Sequence, residues 1–174
     1  MALHIIIDGY NLIRCSPRLA SYDRQDIETG RNMLIDHLVV YKRLKKHEIT
    51  IVFDGGGSGG ITQREDRIKG ILVRFSPPGE TADNLIKRMA ATEREKALIV
   101  TSDRDILDYA QSKGASVVTS PAFEEKVQMA RYVDTKGLNP ESECNGWKPT
   151  TRKKGPSRRA SKRKRRLLRK VDKL

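Results

Sequence analysis

Residues 3–8 read LHIIID: a short run of β-branched residues that stops on an acid, with Gly9 directly behind it. Apolar residues at consecutive positions, instead of alternate ones, suit a strand buried on both faces. The run is too short for a signal-peptide core or a membrane span. Similar runs recur as ITIVF at 49–53, ILVRF at 71–75, ALIVT at 97–101 and ASVVT at 115–119. Longer stretches of helical period lie between most of them. Over residues 24–46, Ile27, Met33, Leu34, Leu38, Tyr41 and Leu44 fall on one stripe. A second helix is predicted from Thr81 as N-cap, turning Leu85, Ile86, Met89 and Ala90 inward. A third is predicted over 103–113 on Ile106, Leu107 and Ala110, and a fourth from Pro121 to Val133. The order β-α-β-β-α-β-α-β-α predicts an α/β fold: a three-layer α/β/α sandwich with a mainly parallel central sheet and right-handed crossovers.

Charge divides the chain. Residues 148–174 carry 14 Lys/Arg and one acid, while residues 1–147 carry 21 basic and 21 acidic residues, so the net charge of +13 belongs to the C-terminal segment. The reading is one domain over 1–138 followed by a basic tail over 139–174. The tail is rich in Pro, Gly, Ser, Lys and Arg and is expected to be disordered in isolation. Cys15 and Cys144 form no C-x-x-C pair and no dense framework, which suits a reduced, cytoplasmic setting. No apolar stretch is long enough to cross a membrane. GGGSGG at 55–60 reads as a connector or as a loop that contacts substrate backbone; it is no P-loop, because no Gly-Lys-Ser/Thr follows.

The chemistry is expected from acids at strand ends. Ile7-Asp8, Phe53-Asp54 and Thr101-Ser102-Asp103 put aspartates at or just beyond three strand ends. In an open parallel sheet these positions share the carboxyl edge, where ligands bind. Asp83, in ETADN, falls in the first turn of the second predicted helix, and Asp105 follows Asp103 across Arg104. Carboxylates brought together repel and raise one another's pKa unless a cation neutralises them. Mg²⁺ or Mn²⁺ is the expected cation, since hard ions take carboxylate and water oxygens, and His4, His37 and His47 have no zinc-like spacing. Such an ion would activate a water against a phosphodiester. Singly, each aspartate also reads as a turn residue or an N-cap. Asn11 reads either as a partner orienting a carboxylate or a water, or as a cap. Arg104 reads either as a phosphate contact or as a surface ion pair.

With these residues in hand the chain resembles a known family. IIIDGYNLI at 5–13, IVFDGGG at 51–57, ETADNLI at 80–86 and VTSDRDI at 100–106 look like the YacP-like branch of NYN domains, within the PIN-like nuclease superfamily. The resemblance covers about residues 1–134. It implies a PIN-like fold and Mg²⁺- or Mn²⁺-dependent cleavage of RNA that leaves 5′-phosphate and 3′-hydroxyl ends. Bacterial members include a ribosome-associated endonuclease of messenger RNA. By the same resemblance Asp8, Asp83 and Asp103 are expected metal ligands, supported by Asn11, Asp54 and Asp105.

SRRASKRKRRLLRKVDKL at 157–174 is dense enough in charge to bind phosphate backbones, through Arg158, Arg159, Lys162, Arg163, Lys164, Arg165 and Arg166. It holds no aromatic residue, so it is expected to grip RNA, or the ribosome, without reading sequence. Leu167, Leu168 and Val171 would share an apolar edge if it turned helical on RNA. Competing readings are a solubilising tail, a nuclear-import signal or an anionic-membrane contact. For the whole chain, the alternative to an endoribonuclease is a non-catalytic RNA- or ribosome-binding protein with a vestigial acidic site. A haloacid-dehalogenase-like phosphatase would need a second aspartate where Tyr10 stands. The sequence sets no oligomeric state.

Overall fold

In the computed structural model, which describes residues 3–55, 65–136 and 170, the run that opens the chain is the strand β1, His4–Asp8. Ile5, Ile6 and Ile7 are all fully buried. Ile5 and Ile7 pack into one hydrophobic layer and Ile6 into the other, as a two-faced strand requires. Burial of each such side chain is worth about 1.5–3 kcal/mol.

Three helices follow where the sequence reading placed one. They are α1 (Gly9–Cys15), α2 (Pro17–Asp23) and α3 (Ile27–Lys45). Each is started by an N-capping side chain, from Asp8, Ser16 and Asp26 in turn, and Pro17 supports the second start. Seven-residue helices carry too little periodicity to stand out in sequence. On α3, Leu34, Leu38 and Tyr41 are buried as expected, but Ile27, at the first position, is 48% exposed.

β2 (Glu48–Phe53) leads, beyond residues 56–64, to β3 (Glu65–Ile68), a strand absent from the sequence reading. β3 turns into β4 (Ile71–Phe75) through Lys69 and Gly70, whose positive φ values of 50° and 84° make a two-residue hairpin turn. Then come α4 (Ala82–Glu93), a 3₁₀ turn (Arg94–Lys96), β5 (Ala97–Val100), α5 (Arg104–Ser112), β6 (Ser116–Val118) and α6 (Ser120–Lys136). Thr81 caps α4 as expected, and Leu85, Ile86, Met89 and Ala90 are buried, whereas Leu107 of α5 is only half-buried.

The six strands form one sheet in the order β3-β4-β2-β1-β5-β6, parallel except for β3 at the edge. One layer joins β1 to the helices α1, α3 and α6 through Leu12, Leu34, Leu38, Tyr41, Phe123 and Val127. The other packs α4 and α5 on the opposite face through Leu85, Ile86, Ile99 and Ile106. This is the expected α/β/α sandwich. Strand order reverses at β1, with β2 on one side and β5 on the other, so the crevice at its carboxyl end is where a ligand site belongs. No helix among the described residues is long and apolar enough to cross a membrane. The tail over 139–174, apart from Lys170, and most of GGGSGG lie outside the described residues, as do Cys144 and the tail's basic side chains from Arg158 to Arg166.

Candidate metal centre at the carboxyl edge

Asp8 ends β1 and caps α1 in the same step. Its extended backbone (φ −72°, ψ 104°) turns the chain into the helix, and the Asn11 N–H donates to Oδ1 at 3.2 Å. The Thr101 hydroxyl donates to Oδ2 at 3.1 Å from just beyond β5. The next residue must be glycine for a steric reason: a Cβ at Gly9 would lie 2.3 Å from the Phe53 ring. Burial pushes the Asp8 carboxyl above the ordinary value of 3.8; the two hydrogen bonds oppose that, and the charges of Asp83 and Asp103 add to it.

Asp103 is held in the same way. It caps α5, its Oδ1 accepting from the Asp105 N–H at 2.8 Å and the Ile106 N–H at 3.4 Å. Its own N–H donates at 3.2 Å to the Thr101 hydroxyl that serves Asp8. Asp83 is exposed in the first turn of α4. For Asp8 and Asp103 the cap reading and the functional reading therefore do not compete, because the hydrogen bonds that start α1 and α5 also fix those carboxylates, whereas α4 is capped by Thr81.

Asp54 lies on the other flank of β1, where the Ser76 hydroxyl donates to its Oδ1 at 3.0 Å and takes the Gly55 N–H at 3.0 Å. Asp105 is exposed and ion-paired with Lys87. Asn11 is a bracket: its amide oxygen accepts from the Ser102 N–H at 2.9 Å and the Ser120 hydroxyl at 2.7 Å, tying α1 to the β5–α5 loop and to α6. That oxygen is occupied by protein donors, so a role in orienting a carboxylate or a water falls to the rest of the side chain. Arg104 is exposed at the first position of α5.

The sequence reading missed Lys87. One turn along α4 from Asp83, its ammonium bonds Asp105. Its pKa is raised, first by that bond, which outweighs an opposing cost of burial, with the charges of Asp105, Asp83 and Asp103 adding to it. The signal was available as the spacing Asp83-x-x-x-Lys87 on a predicted helix. Thr101 and Ser120, which serve Asp8 and Asn11, carry no such signal.

The donors gathered here are hard oxygens, the chemistry Mg²⁺ and Mn²⁺ favour. Among the described residues, no three His, Cys, Asp or Glu side chains stand close enough together to hold one ion as they lie. Asp83 and Asp103 nevertheless act on Asp8. The two observations agree once range is considered: repulsion between charges reaches further than a metal–oxygen bond of about 2 Å. The arrangement fits an ion that keeps several waters and touches few protein oxygens directly.

Beside this edge, Arg31 of α3 donates to the Tyr10 hydroxyl at 3.0 Å through Nε. Its guanidinium lies 5.5, 5.4 and 5.2 Å from the ring centroids of Tyr10, Phe53 and Phe75.

Comparison with known proteins agrees with the fold. The chain is 28% identical over 86 residues to an uncharacterized protein, YacP, of Bacillus subtilis, a match spanning 49% of this chain and only 50% of that protein's length. A crystal structure of Rae1 (YacP) from Bacillus subtilis superposes with a TM-score of 0.65 at 23% identity, over 79% of this chain and 80% of that one. A mutant of the same protein gives 0.64 at 20% identity, over 98% and 91%. At these identities the likeness to the solved structures is one of fold. The family model described as YacP-like NYN domain matches residues 5–173, which carries the likeness past residue 134 and through the basic segment. The chain therefore belongs to the YacP-like NYN domain family, a family of nuclease type.

Proposed function

We propose that this chain is a divalent-metal-dependent endoribonuclease that uses Mg²⁺ or Mn²⁺ to cut RNA. The observation that carries the reading is the Thr101 hydroxyl, which joins Asp8 at the end of β1 to Asp103 at the start of α5, with the Asp8 carboxyl buried and so pushed up. Such a group is poised to gain from a cation. Asp8, Asp83 and Asp103 would hold the ion. When bound, it lowers the pKa of a water and neutralises charge on the phosphate. The protein's own part is positioning. The Asn11 N–H and the Thr101 hydroxyl stop the Asp8 carboxylate from swinging, the start of α5 fixes Asp103, and α4 presents Asp83. Lys87, ion-paired with Asp105, adds a positive charge at the same edge, suited to a phosphate oxygen. The basic segment at 157–174 supplies salt-sensitive grip on the RNA backbone. The resemblance extends the proposal to messenger RNA on the ribosome.

A second reading, a non-catalytic RNA- or ribosome-binding protein, draws support from the spread of the carboxylates, which do not close on one ion as they lie. Incubating the purified protein with single-stranded RNA and Mn²⁺ separates the two. Cleavage that disappears in Asp8→Asn supports the nuclease. Cleavage that is absent, or equal in Asp8→Asn, overturns it. Deleting residues 148–174 should weaken RNA binding yet leave some cleavage of short RNA.

A further inference from the structure

A cavity of about 510 Å³ opens between the start of α3 and the β3–β4 hairpin, within the roughly 300–1,000 Å³ typical of small-ligand sites. We infer that this cavity receives one unpaired nucleobase of the RNA and favours a base that carries an exocyclic amino group. The inference rests on RNA being the substrate.

The cavity joins the carboxyl edge directly. Phe53 and Phe75, two of its lining residues, are the last residues of β2 and β4, and Asp54 follows Phe53. Arg31, a third, holds the hydroxyl of Tyr10, two residues beyond Asp8. A strand of RNA whose phosphate lies at Asp8 therefore has a neighbouring base within reach of the cavity.

Its chemistry suits a flat aromatic ligand. The inner side is apolar, formed by the buried Ile35, Val73 and Phe53. Phe75 is half-buried and stacks on Phe53 with ring centroids 5.8 Å apart, which leaves it partly open to the cavity. The Arg31 guanidinium, itself planar, lies within 5.5 Å of three ring centroids and is pinned to the Tyr10 hydroxyl. Single-stranded bases stack on such aromatic and guanidinium faces.

The rim argues against a phosphate and for a base. Asp26, Glu28 and Asp66 line the cavity and are exposed, set against the one guanidinium of Arg31. A phosphodiester would meet net negative charge there. A base brings none, and carboxylates accept hydrogen bonds from amino groups, as they do from cytosine N4. Uracil presents a carbonyl oxygen at the equivalent position, which a carboxylate repels. The cavity thus sorts bases by their amino groups while the backbone stays at the carboxyl edge and on the basic segment.

The test is fluorescence anisotropy of the full chain with labelled decacytidine and decauridine, in EDTA so that nothing is cut, at salt high enough to weaken backbone binding. The wild type should bind decacytidine severalfold more tightly than decauridine. Phe75→Leu should lose roughly tenfold in affinity for decacytidine. The exposed double variant Glu28→Gln/Asp66→Asn should bring the ratio of the two affinities to one. Equal affinity of the wild type for both oligonucleotides overturns the inference, as does a folded Phe75→Leu with unchanged binding. If Phe75→Leu does not fold, the rim variant decides alone: an unchanged ratio overturns the inference. An arginine-rich peptide that binds in a rim-dependent way, while both oligonucleotides bind alike, would assign the cavity to a peptide and overturn it as well. Asp8→Asn should keep the preference for decacytidine, so loss of the nuclease reading and loss of the base site give different results.

Discussion

The Thr101 hydroxyl donates to Asp8 at 3.1 Å while accepting from the Asp103 N–H at 3.2 Å, so one fully buried oxygen holds two acids from different elements in a fixed relation. The fold spends stability to keep Asp8 where it is. Its raised carboxyl binds a proton more tightly in the folded chain than in the unfolded one. Stability therefore falls as pH rises from the ordinary value of 3.8 through the raised one, and stays lower above it. In the absence of metal, Asp8→Asn should melt no lower than the wild type at neutral pH. Added Mn²⁺ should raise the melting temperature of the wild type and leave that of the variant unmoved. A metal-free variant melting several degrees lower would show that the two hydrogen bonds outweigh the burial of the charge and the repulsion together.

Lys87 answers part of the negative charge at this edge. Lys87→Met removes the resident cation, so Mn²⁺ should bind severalfold more tightly, as read by titration calorimetry, even as cleavage slows. Weaker binding in Lys87→Met would mean that the lysine holds an acid in place instead of competing with the ion.

Gly9→Ala sets a methyl group against the Phe53 ring. The ring has little room to retreat, because Tyr10 meets it edge-on at 5.1 Å and Phe75 stacks on it at 5.8 Å. The cost should be about 1–3 kcal/mol, measured as a lower urea midpoint with an unchanged slope. Cleavage should fall by more than the lost stability explains, since Gly9 adjoins Asp8.

His37 is buried on α3, and neither ring nitrogen has a hydrogen-bond partner among the described residues. Burial first, then the charge of Arg131, hold its pKa down at about 4, against an ordinary 6.5. The unfolded chain takes up this proton before the folded one does, so stability should be lost as pH falls from 6.5 towards about 4. Thermal melts of His37→Leu should show a shallower acid limb than the wild type. Parallel limbs would assign the loss to other groups.

The sheet was legible because its strands are short continuous apolar runs, which few other structures need. That Asp8 and Asp103 fall at the carboxyl edge was legible for a related reason: an aspartate at or just past the end of such a run has little to do in a core. What stayed hidden is polar or small. β3 reads EDRI, with three charged residues and one apolar one, and shows no alternation; only the two-residue Lys69-Gly70 turn marks it. The helices α1 and α2 are too brief to show a period, and their capping residues, Asp8 and Ser16, double as site and linker. The partners of the site side chains were beyond reach. Thr101 lies 93 residues from Asp8 and Ser120 lies 109 from Asn11, separations that only the strand order brings together.

The bond from Ser120 to Asn11 has a consequence for the order of synthesis. Asp8, Asp83 and Asp103 are made before residue 120, yet the Asn11 side chain, already met by the Ser102 N–H, gains its second donor only when α6 arrives. A nascent chain that has emerged no further than Val118 has all of Asp8, Asp83 and Asp103 but not the donor that closes the bracket. The Asn11 bracket is thus completed late, after all three aspartates have already been translated.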